Sequence, residues 1–139
     1  MRKEVFYHGS PIADLTTLEP QLDRRLGIRG VFLSHEPYGP MVFSLISDRS
    51  RVHVEYKTKR GQFFGGKIVA PFDLNDTGWL YKLEVDPDTI TAIGHGEFYS
   101  SQSIKVCSCK KVTREDVLKM KWKVMRDSHD LPSFRVVPL

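Results

Sequence analysis

The chain has 139 residues, 40% hydrophobic and 27% charged, which is the composition of one ordinary globular domain spanning residues 1–139. No apolar run is long enough to span a bilayer, and Met1-Arg2-Lys3-Glu4 lacks the apolar core of a secretory signal, so the sequence predicts a cytoplasmic protein with no membrane partner. The formal net charge of +4 is modest and falls in two clusters, one around Arg49, Arg51, Lys57, Lys59 and Arg60, the other from Lys105 to Arg126. A solvated face accounts for both clusters most simply. Attraction of nucleotides or nucleic acid is the functional alternative.

In chain order, residues 4–8 form an apolar run that predicts a first strand ending in a Gly-Ser turn. A connecting stretch over 10–30 follows, anchored by Leu15, Leu18 and Leu22 and broken by Pro20. Residues 31–34 predict a second strand, entered through Gly30. The apolar spacing over 41–46, after a turn-rich lead, predicts a short helix buried on one side. Residues 51–57 alternate as a half-buried strand, and the glycine-rich segment 61–66 reads as a flexible piece carrying Phe63 and Phe64. Residues 79–85 predict a strand, Asp86-Pro87-Asp88 a turn and 89–93 a further short strand. The segment 94–103 is polar and turn-like, and 104–112 reads as one long strand. Thr113 caps a helix expected to run to Lys121, with Glu115 and Asp116 suiting its N-terminal dipole. Residues 134–137 predict a strand at a sheet edge. Strands dominate and the helices are inserted between them, which argues for an α+β fold.

Cys107 and Cys109 would share one side of the long strand, where disulfide geometry is poor and the ligand count falls short of a zinc set. They read as buried thiols. His53 and His95 lack metal-ligand spacing, so no metal is expected, whereas His35 follows the second strand and is a candidate to line a cleft with it.

Two short motifs carry the functional signal: Tyr7-His8-Gly9-Ser10 and Gly30-Val31-Phe32-Leu33-Ser34. A histidine at a strand end can hydrogen-bond a ligand, and a neighbouring glycine lets that ligand approach bare backbone. The pairing resembles the ADP-ribosyltransferase superfamily in its His-Tyr-Glu (PARP-like) branch. The layout is most similar to the small bacterial rifampin ADP-ribosyltransferases, through the further run Phe98-Tyr99-Ser100-Ser101-Gln102-Ser103-Ile104.

The resemblance implies a fold of split, curved antiparallel β-sheets with a few short helices and an NAD-shaped cleft. It implies that NAD is the substrate, with ADP-ribose passing to an acceptor: a small molecule, a protein or a nucleic acid. Carried over residue by residue, it implies that His8 binds the adenosine-side ribose and Gly9 the nicotinamide carboxamide. Ser10 is implied as a supporting hydroxyl, Phe32 as the ring stacked on nicotinamide, and Ser34 as a further cofactor-side residue. Phe32 stands where the family has tyrosine, which keeps the stacking face and loses the phenol hydroxyl. Gln102 occupies the position of the family's acidic residue and brings no negative charge to an oxocarbenium ion. Glu97 is the nearby carboxylate able to replace it, ahead of Glu84 and Asp86. Three rival readings are a degenerate NAD- or ADP-ribose-binding module, a nucleic-acid-binding or modifying protein that uses the basic clusters, and a small phage or bacterial accessory domain that kept the fold and lost the cofactor.

Overall fold

The computed structural model describes residues 2–23, 26–126 and 133–138. The fold is β-rich α+β, mostly antiparallel, with few and short helices. Its larger sheet has seven strands. Their path is β11 (Ser108–Thr113), β7 (Thr77–Val85), β1 (Glu4–Ser10), β4 (Ile28–Ser34), β9 (Glu97–Ser100) and β8 (Thr91–Gly94), with β3 (Gln21–Asp23) pairing on β4. A second sheet of four strands runs β12 (Trp122–Arg126), β6 (Gln62–Ala70), β5 (His53–Lys59) and β13 (Ser133–Pro138). The outer pairs of this sheet, β12 with β6 and β13 with β5, are parallel. A small ladder joins β2 (Thr17–Leu18) to β10 (Ile104–Lys105). Among the described residues no helix is long and apolar enough to cross a membrane.

Two groups of side chains fill the interior. Phe6, Leu18, Val31, Leu33, Tyr81, Leu83 and their neighbours pack on one face of the large sheet. Val42, Leu45, Ile46, Val54, Tyr56, Ile68, Val117 and Trp122 belong to the other group, between the second sheet and the two helices. Helix α1 (Tyr38–Phe43) comes unusually close to the large sheet. A Cβ on Gly9 would overlap the Pro40 carbonyl, and one on Gly78 would overlap Ser44. The apolar run predicted as helix over 41–46 is buried from Val42 to Ile46, but beyond Phe43 it tightens into i to i+3 bonds (Leu45 N to Val42 O, Ile46 N to Phe43 O).

Several expectations need correcting. The glycine-rich segment is strand from Gln62 onward rather than a flexible piece: Arg60 and Gly61, both at positive φ, make the two-residue turn that pairs Lys59 with Gln62. Phe63 tucks against Trp122 at 4.9 Å, and Phe64 is exposed. Within the turn-like stretch 94–103, residues Glu97–Ser100 form β9, entered through the positive-φ run Gly94-His95-Gly96. The strand expected over 104–112 breaks at Val106 and Cys107, whose N–H groups donate to Thr16 and Lys82, so its two halves join different sheets. Cys107, in the break, and Cys109, on the edge strand β11, are exposed rather than buried. Leu22 is also exposed and anchors nothing. Helix α2 (Arg114–Leu118) has the expected Thr113 cap in a full capping box with Asp116, yet ends three residues before Lys121. The chain then enters β12, where Trp122 and Val124 alternate with Lys123 and follow Lys121, a period-two signal. β13 lies at a sheet edge, as 134–137 predicts.

Candidate functional site

A cleft opens where two central strands part. β1 and β4 are neighbours, but their ladder consists of a single pair, Tyr7 with Ser34. Beyond it the strands diverge, and the His8 imidazole spans the gap to the Phe32 carbonyl at 2.7 Å. A cavity of about 750 Å³ fills the opening, lined by His8, Gly9 and Ser10 on one side and Gly30, Val31 and Phe32 on the other. That volume suits a ligand the size of a dinucleotide or a drug. A second pocket of about 10 Å³, room for one water, shares His8, Gly9, Phe32, Phe43 and Arg49 with the cleft and adds Glu97.

The bond to Phe32 fixes the chemistry of His8. A carbonyl only accepts, so Nδ1 carries the proton and Nε2 is left as an acceptor. Burial drives the imidazole pKa down to about 4; the Phe32 carbonyl opposes this and the positive charge of Arg49 adds to it. His8 is therefore neutral at pH 7, and its remaining nitrogen takes a hydrogen bond from a hydroxyl rather than giving one.

Gly9 lines both cavities, but the structure gives it a packing task as well. Alternation along β1 sends His8 to the face of its cross-strand partner Tyr81 and turns Gly9 to the opposite face, where α1 leaves no room for a Cβ. Ser10 is buried, and its hydroxyl accepts from the Ile12 N–H at 3.1 Å, which leaves the hydroxyl proton for another acceptor. Ser34 is buried on the small pocket, and its Oγ accepts from the Glu36 N–H at 3.2 Å. Phe32 is buried, with its ring 6.4 Å from that of Tyr99 on the adjacent strand.

Glu97 reaches the site through strand pairing. β9 lies antiparallel to β4 with Glu97 opposite Ser34, so the carboxylate joins the wall that carries His8 and Phe32. Its side chain is 11% exposed, with one oxygen 3.8 Å from Arg49 Nη2. Arg49 comes from a single 3₁₀ turn after α1 and lays its guanidinium over the Phe43 ring, 4.3 Å from the centroid. The sequence offered Arg49 only as one member of a basic cluster. No local pattern distinguishes a cation that folds into a cleft from one that stays in water.

The other candidates lie elsewhere. Gln102 is exposed and lines neither cavity, and its backbone closes a turn on the Ser100 hydroxyl. Glu84 is exposed on β7, and Asp86 caps the turn at Asp88. His35 stacks on Phe6 and pairs with Glu4 at 3.7 Å instead of lining the cleft. His53 neighbours Glu55 on β5, and His95 sits in the β8–β9 turn. Among the described residues no group of three or more His, Cys, Asp or Glu side chains is placed to hold a metal ion. No protein-family model, curated protein or solved structure matches the chain.

Proposed function

We propose that the chain is an ADP-ribosyltransferase-like enzyme of the PARP-like type, which takes NAD into the cleft between β1 and β4 and transfers ADP-ribose to an acceptor. The observation that carries this reading is the convergence of His8, Phe32 and Glu97, from three different strands, on one small pocket that shares its wall with a ligand-sized cleft. Each brings a property the reaction needs. The Nε2 of neutral His8 accepts a ribose hydroxyl. The Phe32 ring offers a face for nicotinamide. The Glu97 carboxylate supplies the negative charge that Gln102 lacks.

In the reaction, the bond between ribose C1′ and the nicotinamide nitrogen breaks, and its electron pair leaves with neutral nicotinamide. Positive charge builds on the ribose, where Glu97 stabilises it electrostatically. A nucleophilic atom of the acceptor bonds to C1′ and gives its proton to solvent. Fixing NAD between the strand ends contributes orientation. The exposed Lys82, Lys110 and Lys111 on β7 and β11 leave a nucleic-acid acceptor among the candidates.

The test is calorimetric titration with NAD combined with a nicotinamide-release assay. Wild type should bind NAD, and His8→Ala should abolish binding. Glu97→Gln should bind NAD and release nicotinamide about 10²–10³-fold more slowly. Gln102→Ala should match wild type. Binding without release by the wild type would make the chain a non-catalytic NAD- or ADP-ribose-binding module, and absence of binding at millimolar NAD would remove the cofactor altogether.

A further inference from the structure

One wall of the large cavity is the connector that follows β1, which contributes Pro11, Ile12, Leu15, Thr17, Leu18 and Glu19. Its far end is built into a ladder: Thr17 and Leu18 pair with β10, and the Thr16 carbonyl accepts from the Val106 N–H at 3.0 Å. Residues 11–15 lie outside any strand, and Ile12 is 59% exposed. Within them Asp14 bends the backbone at φ 61°, a left-handed conformation that a residue with a side chain keeps only where its surroundings fix it. Tyr81 supplies those surroundings. Its ring is fully buried in the large-sheet group, opposite His8 on the neighbouring strand and on the same face. Its hydroxyl donates to the Ile12 carbonyl at 2.5 Å and accepts from the Leu15 N–H at 3.3 Å, so it grips the bend on both sides of Asp14. The Leu15 side chain packs against the same group.

We propose that Tyr81 is a positioning residue for the cleft ligand: it locks Ile12 and Leu15, two apolar members of this wall, in fixed relation to His8. The role rests on the NAD reading above, which supplies the ligand, and adds to it the residue that shapes the wall the ligand meets. A phenol has one proton to give and lone pairs to accept with, and Tyr81 uses both functions on the connector. The stiff ring carries the placement of β7 out to residues 12–15. Without the hydroxyl, the Ile12 carbonyl and the Leu15 N–H turn to water, which this exposed segment permits, while the strands beneath keep their pairing. A ligand entering that cleft must then order the wall itself, and the cost appears as lost affinity. Tyr81 thus acts on binding through the connector, with no contact of its own to the cavity lining.

The experiment uses Tyr81→Phe, which keeps the ring in the core and removes the hydroxyl alone. Calorimetric titration with NAD and amide hydrogen exchange compare it with wild type, Ile12→Ala, the double variant and Ile68→Val. The last lowers stability from the other core group and controls for a purely structural effect. In Tyr81→Phe the Leu15 amide should exchange about tenfold faster than in Ile68→Val, and NAD should bind about tenfold more weakly than to wild type. Ile12→Ala should weaken NAD about threefold, and the double variant should lose less than the product of the two single losses. Ile68→Val should bind NAD as wild type does. Unchanged NAD affinity in Tyr81→Phe, an equal weakening by Ile68→Val, or losses that multiply in the double variant would overturn the role of Tyr81 and leave the NAD reading standing. A wild type that binds no NAD removes that reading and the positioning role together.

Discussion

His8 is held neutral by its surroundings, and that has a measurable cost in acid. Its folded pKa lies near 4, against an ordinary value of 6.5, because burial disfavours the imidazolium. Between these values the unfolded chain binds a proton that the folded chain refuses. The stability that His8 contributes is therefore complete above pH 6.5 and drains away as pH falls toward about 4. Urea midpoints measured across this window should fall for the wild type and fall less steeply for His8→Gln; parallel profiles would contradict the assignment. At this scale the sequence was informative where a residue type is unusual in its place. His8-Gly9-Ser10 at a strand end and Phe32 on the next strand could be picked out, and both line the cleft. Glu97 was found by its charge, and pairing with β4 explains how it arrives. Gln102 was found by counting back two positions from a strand start at Ile104; the strand does start there, but it pairs with β2 outside the large sheet, and Gln102 closes an exposed turn on Ser100. Arg49 offered nothing to count.

Helix α1 is seated by absent side chains. Gly9 and Gly78 on β1 and β7 clear the space that Pro40 and Ser44 occupy. Alanine at either position would push the helix off the sheet, and each substitution should cost about 1–3 kcal/mol in urea unfolding. Gly9→Ala would then weaken any ligand at the cleft through α1, without touching the ligand itself. At α2, Thr113 accepts from the Asp116 N–H while the Asp116 carboxylate accepts from the Thr113 N–H, and the Thr113 N–H, helped by the Thr113 hydroxyl, holds that carboxyl below its usual range. Thr113→Ala should lower stability by about 1 kcal/mol in the same assay. The capped helix start was readable because the side chains that make it are local. The second sheet was harder. β12 pairs with β6 from more than fifty residues away, and its short alternation follows directly on a helix. The glycines of β6 looked like flexibility because the Trp122 ring that covers Gly66 comes from that distant strand.

Over the whole molecule, the two side-chain groups share one chain, and each has its own reporter. Trp122 is buried in the group beneath the second sheet, and Trp79 packs against the group on the large sheet. The Trp79→Phe and Trp122→Phe variants, each followed by the remaining tryptophan, should unfold at midpoints that coincide with circular dichroism of the same protein. Ile68→Ala and Leu83→Ala, one in each group, should each lower that common transition by about 2–5 kcal/mol. Two separated transitions would show instead that the halves are independent domains. The β-rich α+β character was legible from strand count and order. The partition into two sheets was not, because it depends on which distant strands meet.

The placement of β12 and β13 on either side of the β5–β6 hairpin also bears on synthesis. Chain growth is vectorial, so the hairpin leaves the ribosome well before either flanking strand exists. Until then it carries two bare edges, with unpaired N–H and C=O groups on both sides. The growing polypeptide passes through an interval in which this ribbon is adhesive and the strands that shield it, β12 and β13, are still to come, so slow translation over residues 71–121 would lengthen the time available for capture by a chaperone or by another nascent copy.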